Sequence, residues 1–329
     1  MVPWFVLRKK MVHMVCDAVQ KICKDIRSLK IQGARNVAIA AVRALAMQAQ
    51  QSRAKNVRDF YAELLSAADM LCATRPTEPM MRNSLKKALR FVFFRMKKEG
   101  GSLSVEKLKR LMQEEEKNYT LNMETNALRI AKIGAKALPK NACVLTHCHS
   151  STVMRILLRA NEIGKIKYAV CTETRPLFQG RITARELSEA GIDTTITVDS
   201  AAKYAMEEFD IDAVLFGADA ITSGGDLINK IGTSQIAQIA SSAGIPVYSA
   251  AEIYKFDPAT LWGGREGIEM RGREELLCGK EFKKVKAFNP AFDLTRAKFI
   301  SAYITELGIL PPQGISRALC KKFSIKNPI

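Results

Sequence analysis

Residues 142–152 read ACVLTHCHSST and carry the clearest structural signal of the chain. An apolar run ends there in a cluster of polar residues, and an apolar pattern with helical spacing begins at Val153. This order predicts a strand, a turn and a helix. In an open parallel sheet, ligands bind at the carboxyl ends of the strands, where the next helix presents free backbone N–H groups. The turn is therefore a candidate site.

Cys148 lies in this turn between His147 and His149. A helix N-terminus, adjacent histidines and polar surroundings each lower the pKa of a thiol, so a reactive thiolate is one interpretation. The other is a small apolar residue that ends a buried strand. Polar residues after the later strands favour the first interpretation. We expect the two histidines to tune the thiol or pack against it rather than to react themselves.

The rest of the second half repeats the alternation of strand and helix. Parallel strands that are buried on both faces are continuous apolar runs, and their alternation with helices implies a parallel sheet with right-handed crossovers. The predicted fold class is therefore α/β. The predicted strands are residues 143–147, 168–172, 194–198, 213–216 and 247–250, and the predicted helices are residues 152–162, 183–190, 201–208 and 230–243.

The first half of the chain is helical instead. Residues 12–135 show apolar positions at helical spacing almost throughout, and residues 37–49 are rich in alanine and apolar on most sides. A chain of 329 residues is also long for one hydrophobic core. We therefore expect two domains, a helical one over 12–135 and an α/β catalytic one over 136–329.

Composition narrows the functional classes. The net charge is +18, but the lysines and arginines are dispersed in pairs and short clusters. This favours a solvated basic surface over nucleic-acid binding, and it suits a polyanionic small ligand. Eight cysteines without a close pair indicate reduced thiols of a cytoplasmic protein rather than a zinc site. We recognise neither a membrane span nor a secretory leader.

Polar residues follow the other predicted strands, and we expect them to converge on one crevice. Asp219 follows the fourth strand among small residues, and a carboxyl group buried there must pair or keep its proton. Lys230 begins a predicted helix, which is unfavourable unless an anion such as phosphate lies beside it. Glu173 has a simpler interpretation as the partner of a local arginine, and Asp199 as a helix cap.

Four longer motifs carry a family resemblance. They are TETRPLFQGRITARELSEAGIDTTITVDSAA (172–202), VLFGADAITSGGDLINKIGTSQIA (214–237), AAEIYKFDP (250–258) and NPAFDLT (289–295). They resemble the family that holds the regulatory eIF2B subunits, methylthioribose-1-phosphate isomerase and archaeal ribose-1,5-bisphosphate isomerase. The resemblance spans residues 20–318 and implies an N-terminal helical domain followed by a Rossmann-like domain.

The resemblance also implies assembly. The family forms dimers through the Rossmann-like domains, and we expect these to gather into a homohexamer. Apolar segments at 288–292 and 304–312 remain after the core strands are assigned. They either complete the sheet and cover its edge or contribute to a subunit contact, since closed two-fold assembly is the commonest kind.

Within this family, the enzymes use a cysteine after the first strand and an aspartate after the fourth, which are Cys148 and Asp219 here. The motif THCHS and residues 54–77 (AKNVRDFYAELLSAADMLCATRPT) resemble the archaeal ribose-1,5-bisphosphate isomerases most. Two residues, Gln32 and Ser151, stand where the family enzyme usually has Arg and Lys. The implied substrate-binding residues are Gln32, Gly33, Ala34, Arg35, Arg75, Ser150, Ser151, Thr152, Asn229, Lys230 and Lys255.

The reaction implied by the resemblance converts α-D-ribose 1,5-bisphosphate to D-ribulose 1,5-bisphosphate, in archaeal AMP and nucleoside salvage that feeds RuBisCO. It needs no cofactor and no metal, and a nucleotide such as AMP is a candidate activator. A 1-phosphate blocks the anomeric oxygen, so the ring must open by protonation of the ring oxygen before a proton moves from C2 to C1. Asp219 would be the acid and Cys148, as a thiolate, the base at carbon.

Two other functions stay open. One is a non-catalytic eIF2B-like subunit that binds a sugar phosphate or nucleotide and contacts initiation factor 2. The other is a methylthioribose-1-phosphate isomerase. Retention of Cys148 and Asp219 favours an enzyme over a binding protein, since the translation-factor branch generally lacks the pair. The paired phosphate positions favour a bisphosphate over a thioether sugar, which would need an apolar pocket.

Overall fold

The computed structural model describes residues 15–264, 267–277 and 284–323, which fall into two compact units. The first unit extends to Pro76 and includes Met81–Leu121, and the second comprises Thr77–Met80 and the chain from Asn122 onward. Compactness alone does not define a folding domain, so the predicted bounds, 12–135 and 136–329, stay a prediction. The N-terminal segment examined for a leader and one of the eight cysteines, Cys278, lie outside the described residues.

The first unit is built from helices. The Ala-rich stretch is buried in the second of them, where Val37, Ala41 and Leu45 have no exposed surface. The fifth helix continues into the second unit. No helix in the described part of the chain is both long and apolar enough to cross a membrane. These helices are α1 (Asp17–Arg27), α2 (Ala34–Gln51), α3 (Val57–Cys72), α4 (Pro79–Glu99) and α5 (Val105–Ala137).

The second unit is built on a seven-stranded sheet. The described strands of the whole unit, in chain order, are β1 (Ala142–Thr146), β2 (Ile166–Thr172), β3 (Thr194–Thr197), β4 (Ala213–Phe216), β5 (Ala220–Ile221), β6 (Leu227–Lys230), β7 (Val247–Ala250), β8 (Phe292–Thr295), β9 (Ala302–Thr305) and β10 (Gly308–Leu310). Seven of them form the large sheet. The order in the large sheet is β10–β9–β7–β4–β1–β2–β3. Neighbours are parallel except for β9 and β10.

Helices connect these strands, which confirms the predicted α/β class. They are α6 (Ser151–Glu162), α7 (Gln179–Glu189), α8 (Ala202–Glu208), α9 (Thr233–Ser242) and α10 (Ile315–Phe323). Strands β1 and β4 are buried along their whole length, as expected of central parallel strands. Ile156 and Leu157 of α6 pack into the same core as Val144 and Leu215.

A second, antiparallel sheet of β5, β6 and β8 was not predicted. The prediction that Lys230 begins a helix over 230–243 is wrong. Lys230 is the last residue of β6, and α9 begins only at Thr233. Strand β6 has four residues and pairs with the distant β8, where Asn229 faces Asp293, so local periodicity does not reveal it.

The strand order places a switch point at β1. The chain runs from β1 to β2 and β3 on one side and returns to β4, on the other side of β1, before it continues to β7 and β9. The connections after β1 and β4 therefore diverge, which opens a crevice at the carboxyl ends of these two strands. Cys148 and Asp219 follow these two strands.

Candidate active site

The turn after β1 lies at the switch point and touches the end of β4. Ser150 begins α6 as its cap, because its Oγ accepts a hydrogen bond from the Val153 N–H at 3.4 Å. Gly217 follows β4, and a Cβ added there would lie 2.7 Å from Ser150 Oγ. Only glycine allows this close approach. Ser249 Oγ of β7 donates to the Gly217 carbonyl at 2.9 Å, which fixes the end of β4.

Two threonines hold the backbone of Cys148. Its φ is 69°, in the left-handed region that non-glycine residues rarely adopt. Its N–H donates to Thr174 Oγ1 at 2.9 Å, and its carbonyl accepts from Thr183 Oγ1 at 2.9 Å. His149 Nδ1 lies 3.0 Å from the same Thr183 hydroxyl. Thr174 follows β2 and Thr183 lies in α7, so the connection after β2 fixes the cysteine.

Burial raises the pKa of the Cys148 thiol to about 11. The Lys230 charge and a backbone hydrogen bond from His149 lower this pKa, whereas the Asp219 and Asp199 charges raise it. The sequence predicted a lowered pKa from the helix start and the histidines. The structure gives the opposite direction, because desolvation of the thiolate outweighs the favourable charges. Cys148 therefore keeps its proton at neutral pH in the free protein.

His147 is a buried connector between three segments. Its Nε2 lies 2.8 Å from the Ile231 carbonyl, which can only accept, so Nε2 carries the proton. Its Nδ1 lies 2.6 Å from Thr172 Oγ1 and 3.8 Å from Asp199 Oδ1. Burial lowers the pKa of His147, which keeps the ring neutral, and Nδ1 accepts from the threonine hydroxyl. This geometry fits the packing role that was one of the two expected for His147.

Asp219 lies between β4 and β5 and is half-buried. Its N–H donates to the Ile228 carbonyl of β6 at 2.9 Å. The side chain of Lys255 is buried, and its ammonium donates to the Ala218 carbonyl at 2.7 Å. The lysine that the resemblance assigned to a phosphate therefore supports the turn that carries Asp219.

Lys230 and Asn229 differ in burial and in their hydrogen bonds, and therefore in how readily they can bind a ligand. Lys230 Nζ lies 5.2 Å from the centre of the Phe292 ring, and its charge reaches Cys148. Asn229 is buried, and its amide donates to Thr233 Oγ1 at 3.0 Å. Lys230 does not oppose the dipole of α9, because it lies before the turn that leads into this helix. Asp293 caps that turn.

Asp293 of β8 is the acid at the start of α9. Its carboxylate accepts from the Gly232 N–H at 2.8 Å and from the Ser234 N–H at 3.1 Å. Burial raises the pKa of Asp293 to about 6 in spite of these two hydrogen bonds. This carboxylate occupies the N-terminus of α9 that would otherwise be open to an anion.

Gln179 is the first residue of α7, in the connection after β2. Its Oε1 is buried and has no hydrogen-bond partner among the described residues. A buried amide oxygen without a partner is unfavourable and is available to a ligand hydroxyl. Gly180 brings this residue close to β2, since a Cβ at Gly180 would lie 1.8 Å from the Thr172 carbonyl oxygen.

Asp199 and Glu173 follow β3 and β2. Glu173 pairs with Arg181 at 2.9 Å, which confirms the simple interpretation of this acid. Asp199 was interpreted as a helix cap, but its two carboxylate oxygens accept from the Thr174 and Arg175 N–H groups, each at 2.7 Å. It therefore fixes the connection after β2, a contact that no residue pattern indicates.

The remaining predicted binding residues divide between the two units. In the second unit, Ser151 is the exposed first residue of α6, whereas Thr152 is buried. In the first unit, Gly33 precedes α2 with a φ of 79°, and the Gln32 amide donates to the Leu29 carbonyl at 2.6 Å. Substrate binding by the first-unit residues stays a prediction. These residues are Gln32, Gly33, Ala34, Arg35 and Arg75.

Comparisons with known proteins point to one family. Residues 30–312 match the Initiation factor 2 subunit family. A ribose 1,5-bisphosphate isomerase from Thermococcus kodakarensis is 39% identical over 314 residues, which cover 94% of this chain and 96% of that protein.

Two solved structures from Pyrococcus horikoshii show the same fold. A translation initiation factor eIF-2B superposes with a TM-score of 0.76 at 27% identity, covering 90% of this chain and 98% of that one. A 5-methylthioribose 1-phosphate isomerase superposes with a TM-score of 0.73 at 30% identity, covering 94% of this chain and 88% of that one.

Proposed function

This chain belongs to the Initiation factor 2 subunit family, and we propose that it is an aldose–ketose isomerase that converts α-D-ribose 1,5-bisphosphate to D-ribulose 1,5-bisphosphate. The observation that carries the proposal is the crevice at the switch point. Cys148 follows β1, Asp219 follows β4, and the charges of Asp219 and Lys230 both act on the thiol. The identity to a ribose 1,5-bisphosphate isomerase over nearly the full length of both chains supports the choice of substrate.

The two side chains can carry the proton transfers without a cofactor. In the reactive form of the site, one proton has moved from the Cys148 thiol to the Asp219 carboxylate. Asp219 donates this proton to the ring oxygen, and the ring opens. Cys148 takes the proton from C2, which leaves an enol phosphate, and returns that proton to C1. The hydroxyl at C2 loses its proton to Asp219 as the ketone forms, so both groups end in their starting states.

Cys148 must lose its proton before it can act as a base at carbon. Because burial raises its pKa to about 11, only a small fraction is thiolate at neutral pH. Lys230 lowers this pKa and therefore raises the reactive fraction. The ammonium of Lys230 would thus serve both the thiolate and an anionic substrate.

The substrate groups have matching partners in the second unit. The start of α6 at Ser150 and Ser151 offers hydroxyls and backbone N–H groups to a phosphate. The Gln179 amide oxygen can accept from a sugar hydroxyl. On the family resemblance, we also propose that Arg35 and Arg75 bind phosphate.

The experiment that tests the proposal is a substrate panel. Purified protein is incubated with ribose 1,5-bisphosphate, ribose 1-phosphate and methylthioribose 1-phosphate, and the ketose product is followed by NMR. We expect kcat/KM for the bisphosphate to exceed the others by about tenfold or more, since charged hydrogen bonds to a phosphate contribute roughly 1.5–3 kcal/mol. Preference for the methylthio sugar would contradict the choice of substrate.

A non-catalytic sugar-phosphate binding protein is the second candidate. The observation that favours it is the protonated thiol of Cys148, which is a poor base as it stands. The structural similarity to a translation initiation factor eIF-2B is compatible with it. Binding of ribose 1,5-bisphosphate in calorimetry, without any ketose in the substrate panel, would select this candidate over the isomerase.

The proposal also covers the oligomeric state, the regulation and the metabolic role of the protein. We propose a homohexamer built from dimers, activation by a nucleotide such as AMP, and a place in cytoplasmic nucleotide salvage. These follow from the family resemblance. Addition of AMP to the substrate panel tests the activation, and a rate that does not change would remove it.

A further inference from the structure

Two residues with left-handed backbones are in direct contact beside the crevice. Thr174 has a φ of 64° and Cys148 a φ of 69°, and neither is glycine. A β-branched residue in this region is strained, and such strain persists only where the surroundings impose it. The two residues are linked directly, because the Cys148 N–H donates to Thr174 Oγ1 at 2.9 Å.

The group that imposes the conformation of Thr174 is Asp199. One carboxylate oxygen accepts from the Thr174 N–H and the other from the Arg175 N–H, each at 2.7 Å. Hydrogen bonds of this length to a charged acceptor are the strong kind. Asp199 also follows β3, so its own position is fixed by the parallel pairing of β3 with β2. A chain of contacts therefore runs from β3 through the connection after β2 to the cysteine.

We propose that Asp199 is a positioning residue for Cys148, which acts through Thr174 to hold the thiol in its place for the proton transfer at carbon. The inference rests on the proposed isomerase function and deepens it. Thr174 links the two residues, because its N–H donates to the Asp199 carboxylate and its hydroxyl accepts from the Cys148 N–H.

The charges around the thiol indicate that Asp199 acts by positioning Cys148 and not by changing its charge state. The groups whose charge acts on the thiol are Lys230, which lowers its pKa, and Asp219 and Asp199, which raise it. Neutral His147 lies 3.8 Å from the Asp199 carboxylate, and His149 contributes a backbone N–H. Asp199 thus opposes formation of the thiolate. Its benefit to the reaction must therefore come from placement of the cysteine and not from its activation.

The test compares turnover with thiol reactivity in matched variants. Asp199→Asn removes the charge and one of the two acceptor oxygens. Thr174→Val removes the hydroxyl but keeps the β-branch, so backbone strain stays similar, and Thr174→Ser restores the hydroxyl. Asp212→Asn is the control, because Asp212 accepts from the Cys143 N–H at 2.8 Å near the opposite end of β1.

We expect the two measurements to move in opposite directions in Asp199→Asn. Turnover of ribose 1,5-bisphosphate should fall by about tenfold to a hundredfold in kcat with KM little changed, as for a displaced catalytic group. Alkylation of Cys148 by iodoacetamide at pH 8 should be faster than in the wild type, because a charge that raises the thiol pKa is gone. Thr174→Val should lose turnover similarly, and Thr174→Ser and Asp212→Asn should keep it.

Two results of the turnover assay would overturn the inference. One is turnover close to the wild-type rate in both Asp199→Asn and Thr174→Val. The other is a loss of turnover matched by an equal loss of alkylation, which would assign the effect to thiolate formation. Hydrogen exchange at the Cys148 amide needs no substrate, and we expect faster exchange in both variants than in Asp212→Asn. Unchanged exchange would refute the positioning contact, whereas faster exchange in a protein without isomerase activity would refute only the proposed function.

Discussion

At the scale of single residues, the state of the Cys148 proton is the central property of the site. Burial raises the pKa of this thiol to about 11, and Lys230 is the side chain whose charge lowers it. Below the pKa, the alkylation rate of a thiol follows its thiolate fraction and rises about tenfold per pH unit. The pH dependence of alkylation therefore reports this environment directly.

Removal of the Lys230 charge should raise the Cys148 pKa further. We predict that Lys230→Met slows iodoacetamide alkylation of Cys148 at pH 8 and shifts the alkylation profile to higher pH. Lys203→Met is the matched control, because Lys203 is exposed on α8 and pairs with Glu207. Mass spectrometry of the Cys148 peptide measures the rate. Equal rates in Lys230→Met and wild type would contradict the influence of Lys230 on the thiol.

At the scale of elements, α7 is placed by the absence of a side chain at Gly180. A Cβ there would lie 1.8 Å from the Thr172 carbonyl, a backbone atom that cannot turn away. Gly180→Ala should therefore separate α7 from β2 and lower the free energy of unfolding by about 1–3 kcal/mol, the usual range for overpacking. Gly224→Ala is the control, since a Cβ there would lie 3.8 Å from its nearest neighbour, Thr222 Oγ1, which is ordinary van der Waals contact.

Urea unfolding followed by circular dichroism measures both glycine variants. The structure predicts a lower midpoint for Gly180→Ala and a midpoint near that of the wild type for Gly224→Ala. Turnover should also fall in Gly180→Ala, because Gln179 and Thr183 lie on either side of it in α7. Similar midpoints for the two variants would contradict the close approach of α7 to β2.

The sequence predicted the elements whose signals are local. Apolar runs gave the central parallel strands, and the polar residues after β1 and β4 gave Cys148 and Asp219 as candidates. Strand β6 was not predicted, because its partner β8 lies far along the chain. The contact of Asp199 with Thr174 escaped because it depends on the pairing of β2 with β3 and on a left-handed backbone, neither of which a residue pattern shows.

At the scale of the whole molecule, exposed apolar residues support the proposed assembly. Phe288 is 80% exposed, and Leu307, just before the edge strand β10, and Ile309, within it, are about half exposed. Exposed apolar residues mark a subunit contact where they join into one patch, and we propose this for Phe288, Leu307 and Ile309. We predict that size-exclusion chromatography with light scattering gives an even multiple of 36.5 kDa and that activity falls on dissociation.

Two variants locate the subunit contact. Phe288→Ser and Ile309→Lys should reduce the mass of the particle, because each places a polar group where the contact needs an apolar one. Tyr204→Ser on α8 is the control, since Tyr204 is also exposed, at 67%, but lies in another element. A fully active wild-type monomer would refute the prediction.

The measurement that tests the central claim most directly is the conversion of ribose 1,5-bisphosphate by the wild type, Cys148→Ser and Asp219→Asn, with ligand binding measured in parallel. The isomerase account predicts that the wild type forms ribulose 1,5-bisphosphate. It also predicts that both variants bind the substrate with similar affinity and form no detectable product, because a serine hydroxyl is a far weaker base than a thiolate and an amide has no acidic proton to give. Turnover at the wild-type rate in either variant would contradict the roles of Cys148 and Asp219.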